Sequence, residues 1–419
     1  MSFVASSSRV PEWARDMPKG WQAGWLKWSV KLSTDRPTED EEGKLPYISN
    51  EDIESWTGKL LKDDPQPTES EGRTFQADDV LFNKLRPYLA KVLHARFDGV
   101  SSGELLCLRS SEQVHPRFLF HVVSSKAFID TINAETFGTK MPRADWEIVG
   151  HQPLPLPQLV TQKRIARYLD EKTARIDALI DGKRTLLERL AEKRQALITQ
   201  AVTKGLSPDA PMKDSGIDWL GQVPAHWAVR PFKWRNSIQS GQVDPTLDEF
   251  KDLPLIAPDH IESRTGRLLD ITSAEEQAAI SGKYFCSPGA VLYSKIRPAL
   301  RKAALFDGEC LCSADMYPIL PGPEMLREYI FFFLLTEAFS SYAELESLRV
   351  AMPKVNREAL GSFPLCVPSL SEQREIAAYC VDEDRKHRDA IDQVRESVDR
   401  LIEYRSALVT AAVTGQMEI

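Results

Sequence analysis

The sequence lacks the motifs by which many enzymes bind nucleotides, metals or acyl groups. Its 419 residues contain no Walker A loop, no Gly-x-Gly-x-x-Gly turn, no His-Glu-x-x-His and no Gly-x-Ser-x-Gly. The Asn-Pro-Pro-aromatic or Asp-Pro-Pro-aromatic tetrapeptide, with which amino-methyltransferases hold a flipped base, is also missing. Together these absences predict that the chain is not an enzyme, which disfavours a self-contained nuclease or glycosylase.

Paired cysteines and long apolar runs are missing as well. The six cysteines form no Cys-x-x-Cys pair, which predicts buried thiols in a reducing cytoplasm and no metal site. The apolar run from Tyr329 to Leu335 is too short to cross a bilayer. Because the N-terminal residues have no apolar signal core, we expect a cytoplasmic protein with no membrane partner.

The net charge of −8 is unevenly distributed. Between Thr38 and Glu71 there are eleven acidic and three basic residues, which alone account for −8. The remainder of the chain is close to neutral and contains local basic stretches. An acidic chain of this kind can therefore still bind a polyanion through local contacts.

The chain contains an internal duplication. Residues 156–203 align without a gap with residues 367–414, at an offset of 211. Earlier matches pair Leu45–Leu61 with Leu253–Leu269, Val80–Lys91 with Val291–Lys302, and Met141–Arg143 with Met352–Lys354. The duplication predicts an α+β protein in which a mixed α/β unit and a long helix occur twice. The predicted segments are 1–152 (first unit), 153–206 (first helix), 207–362 (second unit) and 363–419 (second helix).

Both copies of the long segment have the pattern of a helix in a coiled coil. After Pro157 or Pro368, with Thr161 or Ser371 as the expected N-cap, about forty residues follow without proline. Seven of ten a/d positions are apolar in each copy, which predicts that the helices pair with each other; a plain structural spacer is the alternative. The predicted seam residues are Leu169, Ile176, Ile180, Leu187, Leu190 and Leu197, and Ile391, Val394, Val398, Leu401 and Leu408.

Shorter patterns predict the structure of the globular units. The apolar clusters Leu45–Ile48, Val80–Phe82 and Leu105–Leu108 are bounded by turn residues and predict strands. His115–Ile132 and Glu324–Leu345 have helical spacing instead.

Two basic stretches are repeated and are candidates for contact with nucleic acid. The first is Lys-x-Arg-Pro, whose two cations would share one face of a strand and suit phosphate contacts; alternatively the arginine pairs with an interior acid. The second is a Pro-punctuated loop with Lys or Arg, for which a plain surface loop is the alternative. The candidate DNA-binding residues are Lys84, Arg86, Lys91, Thr139, Lys140 and Arg143, and Lys295, Arg297, Arg301, Lys302, Lys354 and Asn356.

Three further stretches carry a resemblance to a known family. They are Asp214–Trp227 (DSGIDWLGQVPAHW), Pro368–Ala377 (PSLSEQREIA) and Ala407–Gly415 (ALVTAAVTG). With the duplicated arrangement, they resemble the specificity subunit of a type I restriction–modification system over essentially the full chain. The first copy departs from the family pattern, because Thr161-Gln162-Lys163 replaces Glu-Gln-Arg or Glu-Gln-Lys.

The resemblance implies a division of labour among subunits. Each globular unit would be a target-recognition domain that reads one half of a bipartite, asymmetric double-stranded DNA site. The helices would form an antiparallel coiled coil that sets the spacer and docks two methyltransferase subunits. This chain would hold no cofactor; S-adenosylmethionine, ATP and Mg would lie on the methyltransferase and the restriction (motor–nuclease) subunits. A coiled-coil scaffold with two protein-binding modules is the alternative, which the salt dependence of duplex binding distinguishes.

Overall fold

The computed structural model describes residues 17–41, 43–68, 71–136, 142–347 and 354–419. The chain divides into two compact units: unit 1 comprises Met1–Arg184 and Glu396–Ile419, and unit 2 comprises Thr185–Arg395. Both unit boundaries lie inside the long helices, so each unit contains a globular part and a segment of each helix.

The globular part of unit 1 is a mixture of short strands and helices. Its elements are β1 Gln22–Trp25, α1 Leu26–Ser29, β2 Val30–Ser33, β3 Tyr47–Ile48, β4 Gly72–Phe75, β5 Val80–Asn83, β6 Val92–His94, β7 Gly99–Ser102, β8 Leu105–Ser110, α2 Pro116–Val123, α3 Lys126–Glu135, α4 Trp146–Gly150 and β9 Pro153–Leu156. The long helix α5, Leu159–Lys204, follows directly.

Unit 2 repeats most of this order. Its elements are β10 Met212–Asp214, β11 Gln222–Pro224, β12 Ala228–Pro231, β13 Asn236–Ile238, β14 Gln242–Val243, β15 Leu255–Ile256, β16 Lys283–Cys286, β17 Val291–Ser294, β18 Ala303–Leu305, β19 Cys310–Cys312, β20 Met316–Pro321, α6 Arg327–Leu334, α7 Glu337–Ser347, α8 Arg357–Ser362 and β21 Pro364–Val367. The second long helix, α9, spans Leu370–Thr414.

The sheets repeat between the units. The four-stranded sheet β2-β8-β5-β6 of unit 1 corresponds to β13-β20-β17-β18 of unit 2, and β3-β7-β4 corresponds to the sheet β14-β16-β19-β15. The strand before each long helix has an equivalent partner: β1 pairs with β9, with Gln22 opposite Leu156, and β12 pairs with β21, with Ala228 opposite Val367. The mixed α and β composition expected from the sequence is therefore confirmed.

A duplicated glutamine ties the start of each long helix to its own unit. Gln162 Nε2 donates to Pro157 O at 2.9 Å, and Gln162 Oε1 accepts from His115 N at 2.8 Å. Gln373 repeats the arrangement with Pro368 O and Leu326 N, at 2.9 and 2.8 Å. Both glutamine residues are buried, so these bonds satisfy polar groups that burial would otherwise leave unpaired.

The predicted N-caps are wrong by a few residues. The helices begin at Leu159 and Leu370, so Thr161 lies inside its helix. At the second helix the cap is Ser369, whose Oγ accepts from Glu372 N at 3.3 Å while Glu372 Oε2 accepts from Ser369 N at 3.2 Å. This reciprocal pair is a capping box within the sequence Ser-Leu-Ser-Glu, and its serine lies two residues before the predicted cap Ser371.

The two helical stretches of the globular units are each broken once. His115–Ile132 divides into α2 and α3, because Ser125 Oγ accepts a bond from Phe128 N at 3.3 Å and starts a new helix. In unit 2, Thr336 Oγ accepts from Phe339 N at 3.3 Å between α6 and α7. The predicted strand at Leu45–Ile48 is also shorter than expected, since only Tyr47–Ile48 is a strand.

Each unit buries apolar residues from both long helices. The core of unit 1 contains Ile165–Ile180 from α5 and Val398–Val413 from α9, whereas the core of unit 2 contains Ile198–Val202 from α5 and Ile376–Cys380 from α9. Early turns of one helix thus meet late turns of the other, and the helices run antiparallel. Leu169, Ile176, Ile180, Val398 and Leu408 are buried, and Leu187, Leu190, Leu197, Ile391, Val394 and Leu401 are half-buried.

Candidate nucleic-acid interface

The repeated Lys-x-Arg-Pro sequence forms a turn in each unit, not the end of a strand. Strand β5 ends at Asn83 and β17 ends at Ser294, so neither pair of cations lies on a strand face. In unit 1 the Asn83 side chain closes the turn, with Oδ1 accepting from Leu85 N at 3.2 Å and Nδ2 donating to Leu85 O at 2.8 Å. The strand-face prediction is therefore wrong, because the side chain of Asn83 competes with the sheet ladder.

The arginine of each turn has a left-handed backbone. Arg86 has φ 49° and Arg297 has φ 48°, and each precedes a proline that begins a 3-10 turn. A left-handed backbone costs a non-glycine residue roughly 1–2 kcal/mol, so the surroundings must impose it twice. Backbone strain retained in both copies is typical of a functional position.

The structure brings the two candidate basic stretches together in both units. Leu85 and Arg143 form an isolated antiparallel bridge, in which Arg86 N donates to Pro142 O at 2.8 Å. In unit 2, Ile296 and Lys354 form the corresponding bridge. We call these paired segments the contact turns: residues 84–86 with 142–144, and residues 295–297 with 354–356.

The cations of the contact turns differ in exposure, and Arg143 is both exposed and close to a carboxylate, 3.4 Å from Asp145. Arg86, Arg143, Arg297 and Lys354 are exposed. Lys84 donates from Nζ to Gly103 O and lies 3.8 Å from Glu104, which also approaches Arg143 at 3.5 Å. Burial lowers the pKa of Lys84, and the neighbouring carboxylate opposes that shift.

Other candidate residues have internal partners. Lys91 Nζ donates to Asn50 O at 2.8 Å, and Lys302 Nζ donates to Pro258 O at 2.7 Å, so these equivalent lysines fix the same loop in both units. Arg301 is half-buried, 3.8 Å from Glu337, and burial lowers its pKa. Lys295 lies over the Tyr317 ring at 5.3 Å.

Two of the remaining candidates lie outside the described residues, and one caps a helix. Thr139 and Lys140 belong to residues 137–141, which the structure does not describe. Asn356 is the N-cap of α8, where its Oδ1 accepts from Ala359 N at 2.7 Å. Its side-chain oxygen is therefore engaged by the helix it caps.

Sequence patterns missed an exposed aromatic beside one contact turn. Tyr88 lies two residues after Arg86 and is 44% exposed, whereas the equivalent position in unit 2 is Ala299. An exposed tyrosine next to an arginine offers a flat, partly polar surface to a sugar or base. The alignment of the two copies shows Tyr88 opposite Ala299, but the sequence alone does not indicate that Tyr88 is exposed.

The alternatives to a nucleic-acid interface in the described part of the chain are a metal site, a reactive thiol or a membrane-spanning helix. No group of three or more His, Cys, Asp or Glu residues among these residues is arranged to hold a metal ion. All six cysteines are buried free thiols. The described helices include none whose length and apolar content would let it traverse a lipid bilayer.

The chain is thus a duplicated α+β unit with cationic turns, each copy followed by a long helix. The chain belongs to the family described as type I restriction modification DNA specificity domain, whose profile matches residues 30–189 and 237–390. It is accordingly the specificity subunit of a type I restriction–modification system, a non-catalytic component. The resemblance found in the sequence is thereby confirmed.

Individual relatives agree with this assignment. The chain is 25% identical to the type I restriction enzyme EcoDI specificity subunit of Escherichia coli, over 96% of this chain and 90% of the relative. It is 22% identical to the MjaVIII specificity subunit of Methanocaldococcus jannaschii, over 73% of each chain. Among solved structures, a chain described under complex assembly and conformational transition of the type I R-M system matches with a TM-score of 0.76 at 20% identity, covering 96% of this chain and 99% of that one. The HsdS subunit from Thermoanaerobacter tengcongensis gives 0.52 at 20% identity, covering 96% and 98%.

Proposed function

We propose that each unit contacts double-stranded DNA through its contact turn and reads one half of a bipartite, asymmetric site. The observation that supports this is the duplicated bridge between the two basic segments, Leu85 with Arg143 and Ile296 with Lys354. In each unit an exposed arginine, Arg86 or Arg297, directly follows the bridge and an exposed cation, Arg143 or Lys354, lies in it. Phosphate contacts of this kind fix a protein on the duplex, whereas loops that differ between the units would read the bases.

We further propose that the long helices set the unread spacer between the half-sites and dock two methyltransferase subunits. Two half-sites on one duplex require a separator of fixed length, because the groove turns over about every 10 bp. The methyltransferase subunits would carry S-adenosylmethionine and modify adenine N6, and ATP- and Mg-dependent restriction subunits would cleave unmodified DNA. The complex would act in the cytoplasm, where the DNA lies.

Salt-dependent binding tests the phosphate contacts. Arg86→Ala and Arg297→Ala should each weaken binding to every duplex and reduce the slope of log K against log salt by about one unit. Lys126→Ala is a matched control, because Lys126 is an exposed cation of unit 1 paired with Asp130 on α3. An unchanged slope in both arginine variants would reject the proposed contacts. A wild-type complex without salt-dependent duplex binding would support the protein-binding scaffold instead.

A unit exchange tests the division of the site. Replacing residues 207–362 by the equivalent unit of a related specificity subunit should change one half of the methylated sequence. The half read by residues 1–152 and the spacer should stay as they were. Inserting one heptad into α5 should alter the spacer only, by roughly 10 Å or about 3 bp. Methylome sequencing of cells with each variant gives the answer; a change in both half-sites, or in neither, after the unit exchange contradicts the two-reader proposal.

A further inference from the structure

A second duplicated motif, Ile-Glu-Ser-x-Thr-Gly, forms a closed loop in each unit. We call residues 53–58 and 261–266 the docking loops. In unit 1, Thr57 Oγ1 donates to Glu54 Oε2 at 2.5 Å and Ile53 is fully buried. Gly58 has φ 68°, and a Cβ there would lie 2.5 Å from the Phe120 ring, so only glycine fits. Thr265, Glu262 and Gly266 repeat this geometry in unit 2.

An arginine from a long helix bonds to the middle of each docking loop. In unit 1, Arg405 Nη1 donates to Trp56 O at 3.0 Å while its Nε donates to Asp177 Oδ1 at 2.8 Å. In unit 2, Arg194 Nη1 donates to Arg264 O at 2.9 Å while its Nε donates to Asp384 Oδ1 at 2.6 Å. Both carbonyls belong to residues with φ 67°, a left-handed conformation. Each guanidinium therefore joins the two long helices and the globular part of its unit.

The opposite side of each docking loop bonds to the segment that bears the contact turn. Trp56 N donates to Ala90 O at 3.2 Å, and Ala90 ends the 3-10 turn that starts after Arg86. In unit 2, Arg264 N donates to Leu300 O at 3.2 Å and to Arg301 O at 3.3 Å, at the end of the 3-10 turn that starts after Arg297. One residue, Trp56 or Arg264, thus accepts from the helix arginine and donates to the contact-turn segment.

We propose that Arg405 and Arg194 are positioning residues that fix the angle between each contact turn and the helices of its own unit. The inference rests on the proposed function, because it gives that angle a role in spacing. If the angle is fixed, the protein tolerates only one separation of its half-sites. The fork of the guanidinium is required, since one arm meets the carboxylate and another meets the carbonyl.

Two substitutions test the two bonds of the Arg405 guanidinium one at a time. Arg405→Lys keeps a cation for Asp177 but removes the second, rigid donor to Trp56 O. Asp177→Asn weakens the ion pair and leaves the donor in place. The assembled complex of each variant is titrated with duplexes that carry both half-sites and a spacer that is native, one base pair shorter or one longer. Hydrogen exchange of residues 53–60 in unit 1 is measured in parallel.

We expect Arg405→Lys to reduce the preference for the native spacer by roughly tenfold, the size of a lost charge-assisted hydrogen bond. It should also lower exchange protection of the docking loop, and Asp177→Asn should change both quantities less. An equal loss of affinity for all three duplexes would overturn the proposal. A residue that only stabilises the fold would leave the ratio of the affinities for different spacers unchanged. Unchanged exchange protection in Arg405→Lys would overturn it as well. If the wild-type complex binds no specific duplex, the proposed function fails, and the exchange measurement alone decides whether Arg405 fixes the loop.

Discussion

The two units hold the same arginine with carboxylates that lie one helical turn apart. Arg405 bonds to Asp177 in unit 1, whereas Arg194 bonds to Asp384 in unit 2 at 2.6 Å. In the duplication Asp384 corresponds to Thr173, and Asp177 corresponds to Arg388. The counter-ion has therefore changed position while the arginine and its carbonyl acceptor have not. The bond to the docking loop is the constant feature, and the ion pair is replaceable.

Burial makes the ion pair more costly to break in unit 2. The side chains of Arg194 and Asp384 are 5% and 7% exposed, and burial lowers the pKa of Arg194 to about 10. In unit 1 the pair is more accessible, with side-chain exposures of 16% for Arg405 and 13% for Asp177. A buried cation that loses its partner stays desolvated, so the same deletion has unequal effects in the two units.

The largest expected effect is therefore that of Asp384→Ala. It leaves Arg194 buried without its carboxylate and should lower the unfolding free energy of unit 2 by roughly 3–5 kcal/mol. Each arginine keeps its carbonyl acceptor, but Arg405 also keeps some contact with solvent, so Asp177→Ala should cost unit 1 only about 1–3 kcal/mol. Peptide-resolved hydrogen exchange in increasing denaturant measures each unit separately. Equal losses in the two variants would contradict the ranking by burial.

The sequence could predict features that depend on local patterns, but not those that depend on bonds between distant residues. The offset of 211 residues predicts both units and both helices, because a duplication and a/d periodicity are properties of the chain itself. The left-handed turn at Arg86 depends on a bond to Pro142, and the role of Arg405 depends on Trp56, 349 positions away. Arg405 is one of three polar residues at the a/d positions of its helix, with Asp384 and His387, and a polar seam position does not reveal its partner.

Some signals were present in the sequence but ambiguous. Ser125 and Thr336 are ordinary N-caps within stretches of continuous helical spacing, where a single hydroxyl does not fix a break. For the contact turns, basic composition selected both the exposed Arg86 and the engaged Lys91. Composition cannot separate these two roles, because the carbonyl that accepts from Lys91 lies 41 residues earlier in the chain.

A buried histidine distinguishes unit 1 from unit 2. His121 is 3% exposed and lies 2.8 Å from Asp170, whereas unit 2 has Phe332 and Val381 at these positions. Burial lowers the pKa of His121 to about 4, and the bond to Asp170 opposes the shift. As the pH falls, His121 is therefore protonated at a higher pH in the unfolded chain than in the folded one. The contribution to stability is complete above pH about 6.5 and is lost as the pH falls to about 4.

We expect unit 1 to lose roughly 3 kcal/mol of unfolding free energy from this group between those pH values. His121→Phe, which installs the residue of unit 2, should remove that part of the pH dependence. Denaturant titrations at pH 7 and pH 4.5, read from peptides of α2, make the test, and peptides of α6 in unit 2 are the control. If the variant loses as much stability at low pH as the wild type, His121 does not control the acid sensitivity of unit 1.

The smallest expected effect concerns the start of α9 in unit 2. Burial alone would raise the pKa of Glu372, but hydrogen bonds from His226, Trp227 and Ser369 lower it to about 2. His226 Nε2 lies 2.6 Å from Glu372 Oε1, and Trp227 Nε1 donates to the same oxygen at 3.1 Å. Unit 1 has Thr161 and Gly20 at the positions of Glu372 and His226, so it cannot form the carboxylate link.

The folded pKa of Glu372 lies below the unfolded one, so its stabilisation is complete above pH about 4.5 and is lost as the pH falls towards 2. Because the Glu372 side chain is 31% exposed, solvent screening reduces the expected contribution to about 1–2 kcal/mol. Glu372→Gln should remove this contribution, so that the variant and the wild type converge near pH 2. Fluorescence of the buried Trp227, compared at pH 6 and pH 2.5 in denaturant, gives the difference. Thr161→Glu in unit 1 is the gain-of-function variant, and it should recover less than Glu372 supplies, because Gln158 stands at the position of Ser369 and Gly20 offers no imidazole donor. A full gain at Thr161 would show that neither the Ser369 hydroxyl nor His226 is needed for the effect.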